Sequence, residues 1–160
     1  MAEHDEWKDD TVRRDPVRPI VVGLDFSAVS RLALAWALEY AARTPCEVHT
    51  VHVVDRRLHR GDLAADPTQL RNELAQVHAE AAAELKRQVD DDLRKQLLLH
   101  EHISIGSAAD EILSVARDLN AGMIVVGSHG KGAVERLLVG STAERVVRGS
   151  KCTVVVVRDR

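Results

Sequence analysis

The residues best suited to chemistry lie between Gly127 and Thr142. Gly127-Ser128-His129-Gly130-Lys131-Gly132 follows a short apolar run, and Gly140-Ser141-Thr142 comes eight residues on. Glycine lets a backbone turn sharply and meet a ligand without a Cβ in the way. Consecutive exposed amides in such a turn form a concave anion site. Gly140 and Ser141 fall where a helix should begin, and its free N–H groups and dipole favour phosphate. Ser141 and Thr142 add hydroxyl donors, and Lys131 and His129 add nearby cationic or polar groups. Asp25, after another apolar run, could hold a metal such as Mg²⁺ or a ribose hydroxyl; its plainer role is to cap the next helix. Ser141 could likewise only cap its own helix with Glu144. Taken together, the spacing favours a phosphate ligand.

Two better-known phosphate loops do not fit. The Walker A pattern needs Lys-Ser/Thr after its second glycine, whereas Ala133-Val134 follows Gly132. A dinucleotide fingerprint needs a third glycine where Glu135 stands. The eight histidines suggest no metal centre. His49 and His52 point to opposite faces of a strand, and His100 and His102 share a face without a third ligand nearby in sequence. No paired carboxylates or nucleophile–base arrangement can be placed, so a rapid enzyme is not expected.

The elements that must position these residues alternate regularly. Ile20 to Leu24 reads as a strand, and Ser27 as the N-cap of a helix with the stripe Val29, Leu32, Ala33, Trp36, Ala37 and Tyr40. Val48 to Val54 is a second strand, and Asp55 to Thr68 a loop. Leu70 to Leu93 carries a long amphipathic helical pattern. Leu97 to Ile105 is a third strand. Ser107 to Asp110 resembles a capping box ahead of a helix with Ile112, Val115, Ala116 and Leu119 buried. Met123 to Val126, Ser141 to Gly149 and Thr153 to Val157 complete the series as strand, helix and strand. This order predicts an α/β, Rossmann-like doubly wound sheet of five parallel strands in the order 3-2-1-4-5, with helices on both faces. Its switch point lies between strands one and four, which brings Asp25 and Gly127 to one crevice.

Bulk properties agree with one domain over residues 19–160, preceded by a flexible arm over 1–18. The chain has 160 residues, 45% of them hydrophobic, with Trp7, Phe26, Trp36 and Tyr40 as its aromatics. The net charge is −3, and neither charge nor aromatic content supports nucleic-acid binding. No apolar run is long enough to span a bilayer and the N-terminus has no signal-like core, so a cytoplasmic location is expected. Cys46 and Cys152 read as small buried thiols.

The spacing Gly127-x₂-Gly130-x₉-Gly140-Ser141 resembles that of the ATP-binding branch of the universal stress protein family. The resemblance runs from about Pro19 to Arg158. It includes Val22-Gly23-Leu24-Asp25, His52-Val53-Val54-Asp55, Ala143 to Val147 and the terminal Cys152 to Val157. It implies a stress-response module that binds ATP, AMP or a cyclic nucleotide. Gly127 to Gly132 and Gly140 to Thr142 would hold phosphates and ribose. Asp25 would sit beside them, with or without Mg²⁺, Gly23 and the backbone of Val53 would flank the adenine, and Leu24 and Val126 would belong to the same nucleotide site. It also implies a homodimer through strand 153–157; the alternative is an edge covered by the N-terminal arm. Gly122 and Thr153 depart from the family's frequent Asp and Pro.

Overall fold

The computed structural model describes residues 17–54, 97–129 and 139–159, with helical positions between 68 and 79. Of the loop expected over 55–68, residues 55–67 lie outside the described residues and Thr68 is helical; most of the long helix, Gly130 to Gly132 and all but Val17 and Arg18 of the arm also lie outside them. The elements are β1 (Ile20–Gly23), α1 (Ala28–Arg43), β2 (Val48–Val54), β3 (Leu99–Ile105), α2 (Ala108–Asp118), β4 (Met123–Gly127), α3 (Ser141–Gly149) and β5 (Thr153–Val157). All five strands pair in parallel in the order β3-β2-β1-β4-β5. The expected order is therefore the observed one.

The short β-branched runs form the central strands because both of their faces are covered, as parallel sheets require. Ile20, Val22, Val48 and Val125 meet Ala33, Leu34, Ala37 and Leu38 of α1 on one face. Val21, Val51, Ile124 and Val126 meet Ala109, Ile112, Ala143 and Val146 of α2 and α3 on the other. The buried stripe of α1 is rotated from the one expected. Leu34, Leu38 and Ala41 face the sheet, while Leu32 is 46% and Tyr40 38% exposed. Alanines let the helix lie close to the strands, and the larger rings are displaced to its flank, where Trp36 stacks on Tyr40.

The helix ends follow local chemistry. Ser27 caps α1 by accepting a hydrogen bond from the Ser30 amide. Ser107 sits at the start of α2 as expected, but its side chain makes no cap bond. Instead its hydroxyl accepts from Arg145 of α3, at 2.8 Å, and the same guanidinium pairs with Asp110. The other end of α2 is a Schellman motif. Asn120 takes φ +49°, its amide donates to the Arg117 carbonyl, and the Ala121 amide donates to that of Ala116. Gly122 has a packing reason: a Cβ there would stand 2.9 Å from the Arg18 Cβ. Cys46 and Cys152 are half-buried free thiols, and burial pushes the Cys46 pKa up.

A candidate nucleotide crevice and its relatives

β1 and β4 are paired neighbours with their carboxyl ends at the same pole, as expected at the switch point. Pairing runs from Ile20↔Met123 to Val22↔Val125, and β2 continues past the end of β1, since Val51 pairs with Gly23. Val53 therefore lies beyond the β1 terminus, at the same pole as Leu24, Asp25 and Val126. Leu24 and Val126 are buried, and Val53 is partly so. No helix among the described residues is long and apolar enough to cross a membrane.

The β1–α1 turn is tightly braced. Asp25 Oδ1 accepts from the Ser27 amide at 3.0 Å and the Ser27 hydroxyl at 2.6 Å. The Asp25 amide donates to Ser30 Oγ. Thus Ser27 caps the helix and Asp25 holds the capping residue. Phe26 adopts φ +63°, a conformation rare for a bulky side chain. Its ring lies 4.5 Å, centroid to centroid, from that of His52. His52 Nδ1 donates to the Leu24 carbonyl at 2.8 Å, so a strand-two side chain fixes the start of this turn.

Across the crevice, both ends of the glycine-spaced loop are drawn together. The Gly140 amide donates to the Ser128 carbonyl, and the buried Ser128 amide donates to Val157 of β5. The Ser128 hydroxyl and His129 Nδ1 are 2.9 Å apart. His129 Nε2 lies 3.8 Å from Asp159, so this ring is anchored on both sides. Gly140 is the N-cap of α3, which begins at Ser141. Ser141 is therefore not the cap, and the capping role with Glu144 does not apply to it. A glycine cap has no side chain to occupy the first amides of the helix, so Ser141 and Thr142 present them together with their own hydroxyls.

The glycines are needed for close approach. A Cβ on Gly140 would lie 3.2 Å from the Ser128 carbonyl oxygen and 3.3 Å from His129 Cα. At Gly127 it would lie 3.0 Å from Val29 Cγ1 and 3.2 Å from the Ser30 amide nitrogen. Gly127 thus lets the end of β4 sit against the first turn of α1. Gly23 has a different reason, because its Cβ would meet the Ile112 side chain at 2.8 Å. Gly130, Lys131 and Gly132, expected at the same site, lie outside the described residues. A surface depression lined by Val17, Arg18, Tyr40, Cys46, Gly122 and Met123 lies at the opposite pole, by the amino ends of β1 and β4.

The histidines also meet in a way their sequence spacing conceals. Parallel register sets His49 opposite His100 and Val51 opposite His102, so three imidazoles share one face of β2 and β3. His49 is buried, and its Nδ1 lies 2.9 Å from His102 Nε2. Burial, followed by the neighbouring His49 and His100, holds the His102 pKa below the usual imidazole range.

Comparison with known proteins agrees with this architecture. The family model described as the universal stress protein family matches residues 16–158. Universal stress protein MJ0531 of Methanocaldococcus jannaschii is 32% identical over 141 residues, spanning 88% of this chain and 82% of its own. A universal stress protein solved in complex with cAMP superposes with a TM-score of 0.66 at 21% identity, covering 91% of this chain and all (100%) of that one. The universal stress protein of Archaeoglobus fulgidus, in complex with dAMP, gives a TM-score of 0.59 at 23% identity, with coverage of 88% and 98%. The matched span takes in every described strand and helix of the sheet, and the chain belongs to the universal stress protein family.

Proposed function

We propose that this chain binds an adenine nucleotide, ATP by its resemblance to the ATP-binding branch of the family or else AMP or a cyclic nucleotide, and acts as a regulatory or stress-response module in the cytoplasm. The observation that carries the reading is the clasp between Gly140 and Ser128. It brings the N-terminus of α3, which has no side-chain cap bond, to the end of β4. Helix amides and the Ser141 and Thr142 hydroxyls suit the phosphates. By the family resemblance, Gly130, Lys131 and Gly132 would belong to the phosphate side. Gly23 and the backbone of Val53 would flank the base, and Asp25 would stand beside the ribose or Mg²⁺. Hard divalent cations bound with nucleotides take one or two carboxylates plus phosphate oxygens, and one carboxylate at this position suits that donor set. Complexes with cAMP and dAMP in proteins of the same fold support the adenine assignment.

The half-exposed β5 forms one edge of the described sheet. Its Val154 to Val157 suit pairing with a second copy of the chain. A homodimer through residues 153–157 belongs to the same reading.

Nucleotide retained by the purified protein tests it directly. Heat or acid denaturation should release an adenine nucleotide, identified by mass spectrometry. Protein stripped of it should be stabilised by added ATP, by about 2.7 kcal/mol at one hundred times Kd. Neither release nor stabilisation by ATP, AMP or cAMP would overturn the reading. Rapid ATP turnover abolished by Asp25→Ala or Lys131→Ala would replace the module with an ATP hydrolase or adenylyl-transfer enzyme.

A further inference from the structure

We propose that Glu47, His49 and His100 form a transition-metal site of the Zn²⁺ class at the amino-end pole of β2 and β3, with one coordination position open to solvent. The strands place the donors. Residues 47 and 49 share a face by the period of two, and parallel pairing sets His100 beside His49 on that face. Glu47 Oε2 lies 3.2 Å from His49 Nε2 and 3.7 Å from His100 Nε2, and all three donor atoms lie within 4.8 Å of one another. Zinc bonds of about 2.0–2.1 Å in a tetrahedron separate neighbouring ligand atoms by about 3.3–3.4 Å. The two separations from Glu47 bracket that edge, and the third, between His49 and His100, stays within 4.8 Å.

The neighbouring groups match the donor chemistry. His49 is 5% exposed and its second nitrogen is taken up by His102. With metal on Nε2, Nδ1 carries the proton and donates it to His102 Nε2. An outer partner of this kind fixes the tautomer and ring orientation of a ligating histidine. The His49 and His100 rings stack, with centroids 4.5 Å apart and planes 18° from parallel, so their in-plane lone pairs run side by side, and the half-exposed His100 ring must rotate to turn its Nε2 onto an ion shared with His49. The side chains of Glu47 and His100 are 49% and 46% exposed, so the cation has an entry path and a free position for water or an added ligand. Two imidazoles and one carboxylate favour zinc and its neighbours over Mg²⁺, which demands oxygen donors. Cys46, next in sequence, packs on the α1 face and does not join the set.

The site is separate from the nucleotide crevice. From Glu47 to Val53 the strand advances six residues, about 20 Å at 3.3 Å each. The proposal therefore stands or falls without the nucleotide reading.

The test titrates Zn²⁺ into the tag-free full chain after chelator dialysis, by calorimetry and with excess Mg²⁺ present, and repeats the titration with Co²⁺ read by visible absorption. One equivalent should bind with micromolar affinity or better, and Co²⁺ should give a four-coordinate spectrum. His100→Gln and Glu47→Gln, both at half-exposed positions that the fold tolerates, should each weaken binding at least tenfold. His102→Gln should weaken it roughly tenfold through lost orientation of His49, within the range known for outer partners, while Cys46→Ser leaves it intact. Absence of saturable Zn²⁺ binding at micromolar concentrations would overturn the proposal. So would one-equivalent binding that survives in the folded His100→Gln/Glu47→Gln double variant, verified by its thermal melt.

Discussion

The two ends of the sheet are built in opposite ways. At the carboxyl end of β1 and β4, backbone does the positioning: Gly140 donates to Ser128, Ser128 donates to Val157, and glycines keep the chains in contact. At the amino end of β2 and β3, side chains converge: Glu47, His49, His100 and His102 meet through ring nitrogens and one carboxylate. Backbone amides suit an anion whose identity lies in its shape and charge. Imidazole and carboxylate suit a cation. The difference also sets how each end tolerates substitution, because a backbone clasp has no side chain that can swing aside.

That contrast is broken most forcefully at Gly127. A valine there would place its Cβ against Val29 Cγ1, the Ser30 amide and the His129 carbonyl, two of them rigid backbone atoms. Overpacking of this kind costs about 3 kcal/mol, which lowers Tm by roughly 6–12 °C in a domain of this size. Glu47→Gln at the opposite pole, with its half-exposed side chain, should shift stability by less than about 0.5 kcal/mol. Paired thermal melts measure both, and equal shifts would erase the distinction between the poles.

Gly140→Ala gives a smaller and more selective effect. Its φ of −64° suits alanine, so the helix entry needs no new backbone conformation. The added methyl presses on the Ser128 carbonyl and His129 Cα and opens the clasp by a few tenths of an ångström. Stability should fall by about 1 kcal/mol, near the scale of an altered helix cap, while nucleotide affinity falls tenfold or more, about 1.4 kcal/mol. Calorimetric titration with ATP beside a thermal melt separates the two quantities. Unchanged affinity would remove the clasp from the binding site.

These two poles were not equally legible in the sequence. The glycine spacing is contiguous, so Gly127, Gly140 and the start of α3 at Ser141 could be read directly. The strand order followed from alternating apolar runs and helical stripes. The histidine cluster could not be read that way, because His49 and His100 are 51 positions apart in number and meet only through the β2–β3 register. Sequence proximity to His100 and His102 does not lead to Glu47, which stands two residues before His49 and comes beside His100 only in the folded sheet. The stripe of α1 was misplaced for another reason. Helical spacing placed Leu32 and Tyr40 beside Ala33 and Ala37 in the buried stripe, yet packing on the sheet kept Ala33 and Ala37 and added Leu34, Leu38 and Ala41 in their place. Likewise Ser107 was read as half of a capping box, and its hydroxyl went to Arg145, a residue on another helix.

The smallest expected effect concerns coupling between the two ends. If the poles are independent, saturating Zn²⁺ should change ATP affinity by less than about twofold, since sites beyond 7–10 Å without shared partners add to within 0.3–0.5 kcal/mol. About 20 Å of strand separates them, and the intervening β2 residues Thr50 and Val51 are buried in the sheet. Coupling free energies are reciprocal, so ATP must alter Zn²⁺ affinity by the same factor. Titrating each ligand in the presence of the other measures that factor twice. A shift of fivefold or more in both directions would mean that β2 carries one conformational change between the poles. His52 would then be the residue to examine first, since it leaves the same strand and holds the Leu24 carbonyl at the nucleotide end.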